Sequence, residues 1–243
     1  MTRTLLIPAA GRGSRLGSKL PKVLVSVAGR PMIDHLIALY RDVVDQWILV
    51  VSPADRIAIA AHLDDTDVDA ELYEQAVPTG MLDAILIPGR AEASLSDRVW
   101  ITWCDQIGVD PRTVRRVVEA EADEPDLLLP TVAGDDPYVH FVRSEGTIVE
   151  VRHRRERDEM PSSGESDMGL FSLSRRAYEI ELPDYARGAP LGSETGERNF
   201  LPFIPWLAGR GNVRTVDNHE SIEALGVNTP EDLIRMERHF EVR

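Results

Sequence analysis

Apolar positions along this chain alternate between two patterns. Short unbroken runs, at Leu5-Leu6-Ile7, Gln46–Val51 and residues 98–103, have the length and branching of strands buried on both faces. Between them the spacing turns helical. Ile33, Leu36, Ile37, Tyr40 and Val44 share one face behind Pro31, whose missing N–H suits a first helical turn. Helices are likewise predicted over 54–63, 81–86 and 111–121, the last with Val114, Val117 and Val118 aligned behind an Asp110 cap. Residues 23–27, 70–73 and 126–130 read as further extended segments. This alternation predicts an α/β, Rossmann-like three-layer fold, a largely parallel sheet with helices on both faces and ligands at the carboxyl ends of its strands.

From Tyr138 the period changes. Residues 138–143 and 148–152 read as a hairpin around Ser144-Glu145-Gly146, and 158–165 reads as a polar, mobile segment. The run 167–173 is apolar enough to return to the sheet, 200–209 reads as a helix, and Thr229-Pro230 opens a last one. No Ser/Gly/Pro-rich linker interrupts the 243 residues, so a single domain over 1–243 is expected.

Charge narrows the function. A formal net charge of −14 argues against a nucleic-acid partner, whose binding rests on neutralising phosphates with Lys and Arg. A single cysteine, Cys104, excludes an intramolecular disulfide. There is no apolar run of about 18 residues and no signal-peptide pattern, so no membrane and a cytoplasmic location are expected.

Against that acidity, residues 5–22 stand out: a strand-like run opens into Gly11, Gly13 and Gly17 interleaved with Arg12, Arg15, Lys19 and Lys22. Glycines let several backbone N–H groups converge on phosphate oxygens. The Walker pattern fails, because Pro21 precedes the lysine and Leu24 is no metal ligand. The dinucleotide fingerprint fits poorly, since the third glycine comes one residue late. What fits is GxGxR followed by Pro-Lys. Further along, Gln75, five residues before Gly80, reads either as a surface turn residue or as a paired donor and acceptor, and Asp105, ending a strand, either caps a loop or offers a hard oxygen that suits Mg²⁺. Asn228 sits just before a helix cap. The cationic run from Arg152 to Arg157 reads either as a solvated face or as an anion contact, and the acidic stretch 64–69 as a solvated turn.

With Gly11, Gly13, Arg15, Pro21 and Lys22, and with Gln75, Gly80, Asp105 and Gly226-Val227-Asn228 in order, the chain resembles the sugar-1-phosphate nucleotidyltransferases of the MobA-like fold. It is most similar to the uridylyltransferase half of the enzyme that makes UDP-N-acetylglucosamine. The resemblance implies a mixed, mostly parallel sheet, with nucleotide bound by about residues 1–110 and the acceptor by about 111–243. It implies that Ala9, Ala10, Gly11, Arg12, Gly13, Ser14, Gln75 and Gly80 bind nucleotide, and that Arg15, Lys22 and Asp105 are catalytic. It also implies that Asp105 and Asn228 hold Mg²⁺, and that Arg152, His153, Arg154, Asp167, Gly169 and Glu197 meet the acceptor.

Departures cluster at that acceptor end. Arg152-His153 stands where a glutamate is common, Asp167-Met168-Gly169 where Asn-Thr-Gly is, Val139 in place of a glycine and Met81 in place of a threonine. No hexapeptide repeats follow. The expected partners are thus a pyrimidine nucleoside triphosphate and a phosphorylated acceptor, and a homo-oligomer is compatible with the sequence. Two rivals are a nicotinamide-dependent oxidoreductase and a catalytically silent nucleotide-binding module.

Overall fold

The computed structural model describes residues 1–11 and 16–242. In chain order its strands and helices are β1 (Arg3–Pro8), β2 (Ser26–Val27), β3 (Arg30–Pro31), α1 (Met32–Tyr40), β4 (Gln46–Val51), α2 (Arg56–Leu63), β5 (Ala70–Glu74), α3 (Met81–Arg90), β6 (Arg98–Thr102) and α4 (Pro111–Ala120). They continue with β7 (Leu127–Asp135), β8 (Val139–Ser144), β9 (Thr147–His153), β10 (Ser163–Asp167), β11 (Leu170–Ser174), α5 (Leu182–Gly188), α6 (Phe203–Ala208), β12 (Val213–Asn218) and α7 (Pro230–Glu241).

The main sheet runs β10-β7-β11-β6-β1-β4-β5, with β12 also paired to β7. Pairs β1–β4, β1–β6, β4–β5 and β7–β12 are parallel, whereas β11 lies antiparallel to β6 and β7, and β10 antiparallel to β7. The sheet is therefore mixed, and parallel through β6-β1-β4-β5.

Side chains alternate across a strand, and that alternation splits the interior into two cores. On one face Leu6, Ile48, Val50, Val99, Ile101, Leu129 and Phe171 pack with α3, α5 and α6. On the other, Leu5, Ile7, Leu49, Val51, Trp100 and Leu128 pack with α1, α2, α4 and α7. The hairpin β8–β9 forms a separate two-stranded sheet that leans on the first core through Val139, Phe141 and Ile148.

Three expectations need correction. Residues 23–27 are not simply extended: a 3₁₀ turn, Lys22–Leu24, comes first and only Ser26–Val27 is strand. Part of the polar segment 158–165 is ordered, because Ser163–Asp167 pairs antiparallel with Thr131–Asp135 and so satisfies its backbone groups without apolar side chains. The predicted helix at 81–86 runs on to Arg90 despite Pro88. Among the described residues no helix is long and apolar enough to cross a membrane.

Candidate active site

Because β1, β4, β5 and β6 are parallel, their carboxyl ends open on one edge, and the loops leaving that edge are anchored to β4. Ala9 N donates to Val50 O at 2.7 Å and Gln75 N to Val51 O at 2.9 Å. A cavity of about 850 Å³ lies over this edge. It is lined by Ala10, Gly11, Gln75, Pro78 and Gly80, at its floor by Lys22, Asp105 and Asn228, and by the later residues Tyr138, Val139, His153, Arg155, Asp167 and Glu197.

The Gln75–Gly80 pair is preassembled. Gln75 is buried, and its Nε2 donates to Gly80 O at 3.1 Å, leaving Oε1 as an acceptor. Gly80 holds φ +127°, ψ 170°, a conformation essentially restricted to glycine. A Cβ there would collide with the backbone of Arg198.

The floor is assembled from three distant parts of the chain. Lys22 follows Pro21 in the 3₁₀ turn, and its ammonium donates to Asp105 Oδ2 and, at 2.9 Å, to Asn228 Oδ1. Asp105 leaves β6 through a tight turn that is fastened when Val227 N donates to Asp105 O at 3.1 Å. Asn228 is oriented by its own Nδ2, which donates to Gly226 O at 3.2 Å, and by the capping box of α7, where Asp232 Oδ2 accepts from the amides of Asn228 and Thr229.

These residues bear on the metal. The lysine ammonium stands where a carboxylate oxygen and an amide oxygen converge on one cation, and both are hard donors of the kind Mg²⁺ takes. Among the described residues no group of three or more His, Cys, Asp or Glu gathers to hold a metal by itself. The donor set therefore fits an ion completed by water and substrate phosphates, the usual arrangement for Mg²⁺. Neighbouring Cys104 is no nucleophile, because burial pushes its thiol up to about 12.

Among the later lining residues, Asp167 is buried and accepts from Gly169 N at 2.8 Å. Burial pushes its carboxyl up to about 6, against the hydrogen bonds from Gly169 and Trp103. His153 is held below its ordinary value, chiefly by burial. The cationic run divides. Arg155 lines the cavity and pairs with Glu197 at 2.9 Å.

Arg152 and Arg154, expected at the acceptor, do not line the cavity. Arg152 donates to Glu150 at 3.0 Å and to Glu159 O at 3.3 Å, and Arg154 pairs with Asp136. Gly169 is not a lining residue either; its φ of +65° turns the chain closely past Trp103 and Gln106. Ala9 lies in the sheet edge behind Ala10. Arg12, Gly13, Ser14 and Arg15 lie outside the described residues. Arg155, inside the cationic run, lines the cavity too, while Trp103, Tyr138 and Asn199 do so without the sequence having singled them out. Trp103, at a strand end just before Asp105, carried the only local signal among them.

A family description, the MobA-like NTP transferase domain, matches residues 5–178. The bifunctional protein GlmU of Pseudomonas fluorescens is 29% identical over 248 residues, covering 100% of this chain and 52% of that protein. GlmU of Alcanivorax borkumensis is 29% identical over 251 residues, covering 99% and 52%. The chain thus spans about half the length of the curated relatives it matches. The inositol-1-phosphate CTP transferase structure from T. maritima shares the fold, with a TM-score of 0.71 at 18% identity, over 99% of this chain and 97% of that one.

Proposed function

This chain belongs to the MobA-like NTP transferase family and is a nucleotidyltransferase; from that premise we propose the reaction it runs. It joins a pyrimidine nucleoside triphosphate (UTP, dTTP or CTP) to a sugar 1-phosphate or related phosphate, releasing pyrophosphate with Mg²⁺ as cofactor. The supporting observation is the Lys22–Asp105–Asn228 cluster beneath the same cavity as Gln75 and Gly80.

An acceptor phosphate oxygen attacks the α-phosphorus in line; a new P–O bond forms, the α–β bridge breaks, and pyrophosphate leaves with the electron pair. A phosphate monoester needs no protein nucleophile, so the residues act by placement and charge. Gln75 Oε1 accepts from an N–H on the pyrimidine edge while the Gly80 backbone lies against the ring. Lys22 neutralises charge growing between the two phosphates. Asp105 and Asn228 would hold Mg²⁺, and the ion would supply positive charge that offsets the repulsion between the two phosphates. In this reading one domain is divided by task, with nucleotide on about residues 1–110 and acceptor on about 111–243.

The test is pyrophosphate release in Mg²⁺. UTP, dTTP and CTP are crossed with glucose 1-phosphate, N-acetylglucosamine 1-phosphate, inositol 1-phosphate, phosphocholine and 2-aminoethylphosphonate. Inositol 1-phosphate with CTP is included because the T. maritima protein that shares the fold is an inositol-1-phosphate CTP transferase. Release from at least one pair, lost in Asp105→Asn, is expected. Silence from every pair while a triphosphate binds would remove the transfer reading.

A further inference from the structure

The acid inside the cationic run has more partners than its arginines. Glu156 Oε1 accepts from Thr195 Oγ1 at 2.6 Å and from Asn199 Nδ2 at 3.1 Å, while Oε2 accepts from the amides of Glu194 at 3.0 Å and Thr195 at 3.4 Å. Gly192 lies against the same carboxylate, where an added Cβ would fall 2.5 Å from Thr195 Oγ1 and 2.6 Å from Glu156 Cδ. Arg155–Glu197 and Arg157–Glu194 pair the two segments on either side. The carboxyl sits at about 2: partial burial pushes it up, and the hydrogen bonds from Thr195, Glu194 and Asn199 outweigh that.

The far end of the same segment is bolted to the base-reading loop. Arg198 N donates to Thr79 O at 2.9 Å and Leu82 N to Arg198 O at 3.1 Å. The Arg198 guanidinium reaches Asp83 at 2.8 Å and Ala186 O at 3.2 Å. Between the two anchors, Glu197 and Asn199 line the cavity.

We propose that residues 194–199 form a fixed span between the end of β9 and the Thr79–Asp83 loop, and that Glu156 is the positioning residue that sets the acceptor wall at its distance from the bound base. This rests on the nucleotidyl-transfer reading above. Glu156 touches neither substrate; it acts through Asn199 and through the backbone that carries Glu197. Arg198 and Asp83 do the corresponding work on the base side.

The division of labour predicts a split that a general loss of structure would not produce. Glu156→Ala and Glu156→Gln should raise the acceptor KM roughly tenfold to a hundredfold, as expected when a charge-assisted hydrogen-bond cluster is lost. The acceptor is whichever of the five named above turns over. Triphosphate Kd, measured by titration calorimetry with UTP and CTP, should stay within about twofold. Arg198→Lys should do the reverse, and Arg41→Gln, an exposed change remote from the span, should do neither. Amide exchange at Glu194 and Thr195 should accelerate in the Glu156 variants while Leu82 stays protected. An unchanged acceptor KM, or parallel loss of acceptor and triphosphate binding, overturns the span. Absence of pyrophosphate release from the wild type with every pair instead strikes the transfer reading itself.

Discussion

Gly80→Ala is the sharpest single perturbation of the loop between β5 and α3. At φ +127° and ψ 170° an L side chain is strained by about 1–3 kcal/mol. The new methyl would also lie 2.5 Å from Arg198 N and 2.9 Å from Arg198 C, both backbone atoms that cannot swing aside as a side chain would. Relief requires residues 197–199 and the loop to part. That breaks the Thr79–Arg198 and Leu82–Arg198 hydrogen bonds, each worth about 1 kcal/mol net. Together the change should cost about 3–5 kcal/mol, which for a chain of this length lowers Tm by roughly 6–20 °C. If the loop opens locally instead, Tm is spared and the loss moves to triphosphate affinity, because Gln75 then loses the carbonyl that orients it. Differential scanning calorimetry and calorimetric titration with UTP and CTP read both routes. A variant that melts and binds like the wild type would refute the close approach of Gly80 to Arg198.

Lys22→Ala and Asp105→Asn should each lower pyrophosphate release by on the order of 10²–10³ with little change in far-ultraviolet circular dichroism. Asp167 has a folded pKa raised to about 6, above its unfolded value, so the native state binds the extra proton and loses stability as pH rises from about 4 to 6. Urea unfolding should therefore find the wild type more stable relative to Asp167→Asn at pH 4 than at pH 7; a flat difference would contradict the burial of that carboxylate. Glu121→Ala removes the buried carboxylate that meets Arg3, Arg98, Trp100 and Ser172, leaving buried Arg98 uncompensated, and should cost about 3–5 kcal/mol in the same measurement.

The parts legible in the sequence are those whose environment is uniform. Gln46–Val51 reads as a strand because nearly all of it is buried between two helical layers. Ser163–Asp167 does not, since its order comes from pairing with β7 and not from its side chains. β12, half-exposed and polar, is hidden for the same reason. In the site, Asp105 is visible because a carboxylate ending a parallel strand has one obvious neighbourhood. That Lys22 would meet Asn228, 206 residues later, is not encoded in any local spacing. The cationic run misleads because β9 ends at His153 and gives way to a 3₁₀ turn over Arg154–Glu156, which breaks the strand alternation of its side chains. Arg155, not Arg152 or Arg154, reaches the cavity, and Glu156, the odd acid among the arginines, carries the structural work.

The separate sheet formed by β8 and β9 has an evolutionary corollary. Val139 and His153, which line the cavity, belong to a ribbon that shares no hydrogen-bonded ladder with the strands that lead to Gln75 and Asp105. Its residues can drift, or be exchanged wholesale by an engineer, without altering the register of β1, β4 and β6. A lineage built this way can change what it accepts while inheriting unchanged how it transfers, and departures from relatives should gather in the ribbon first.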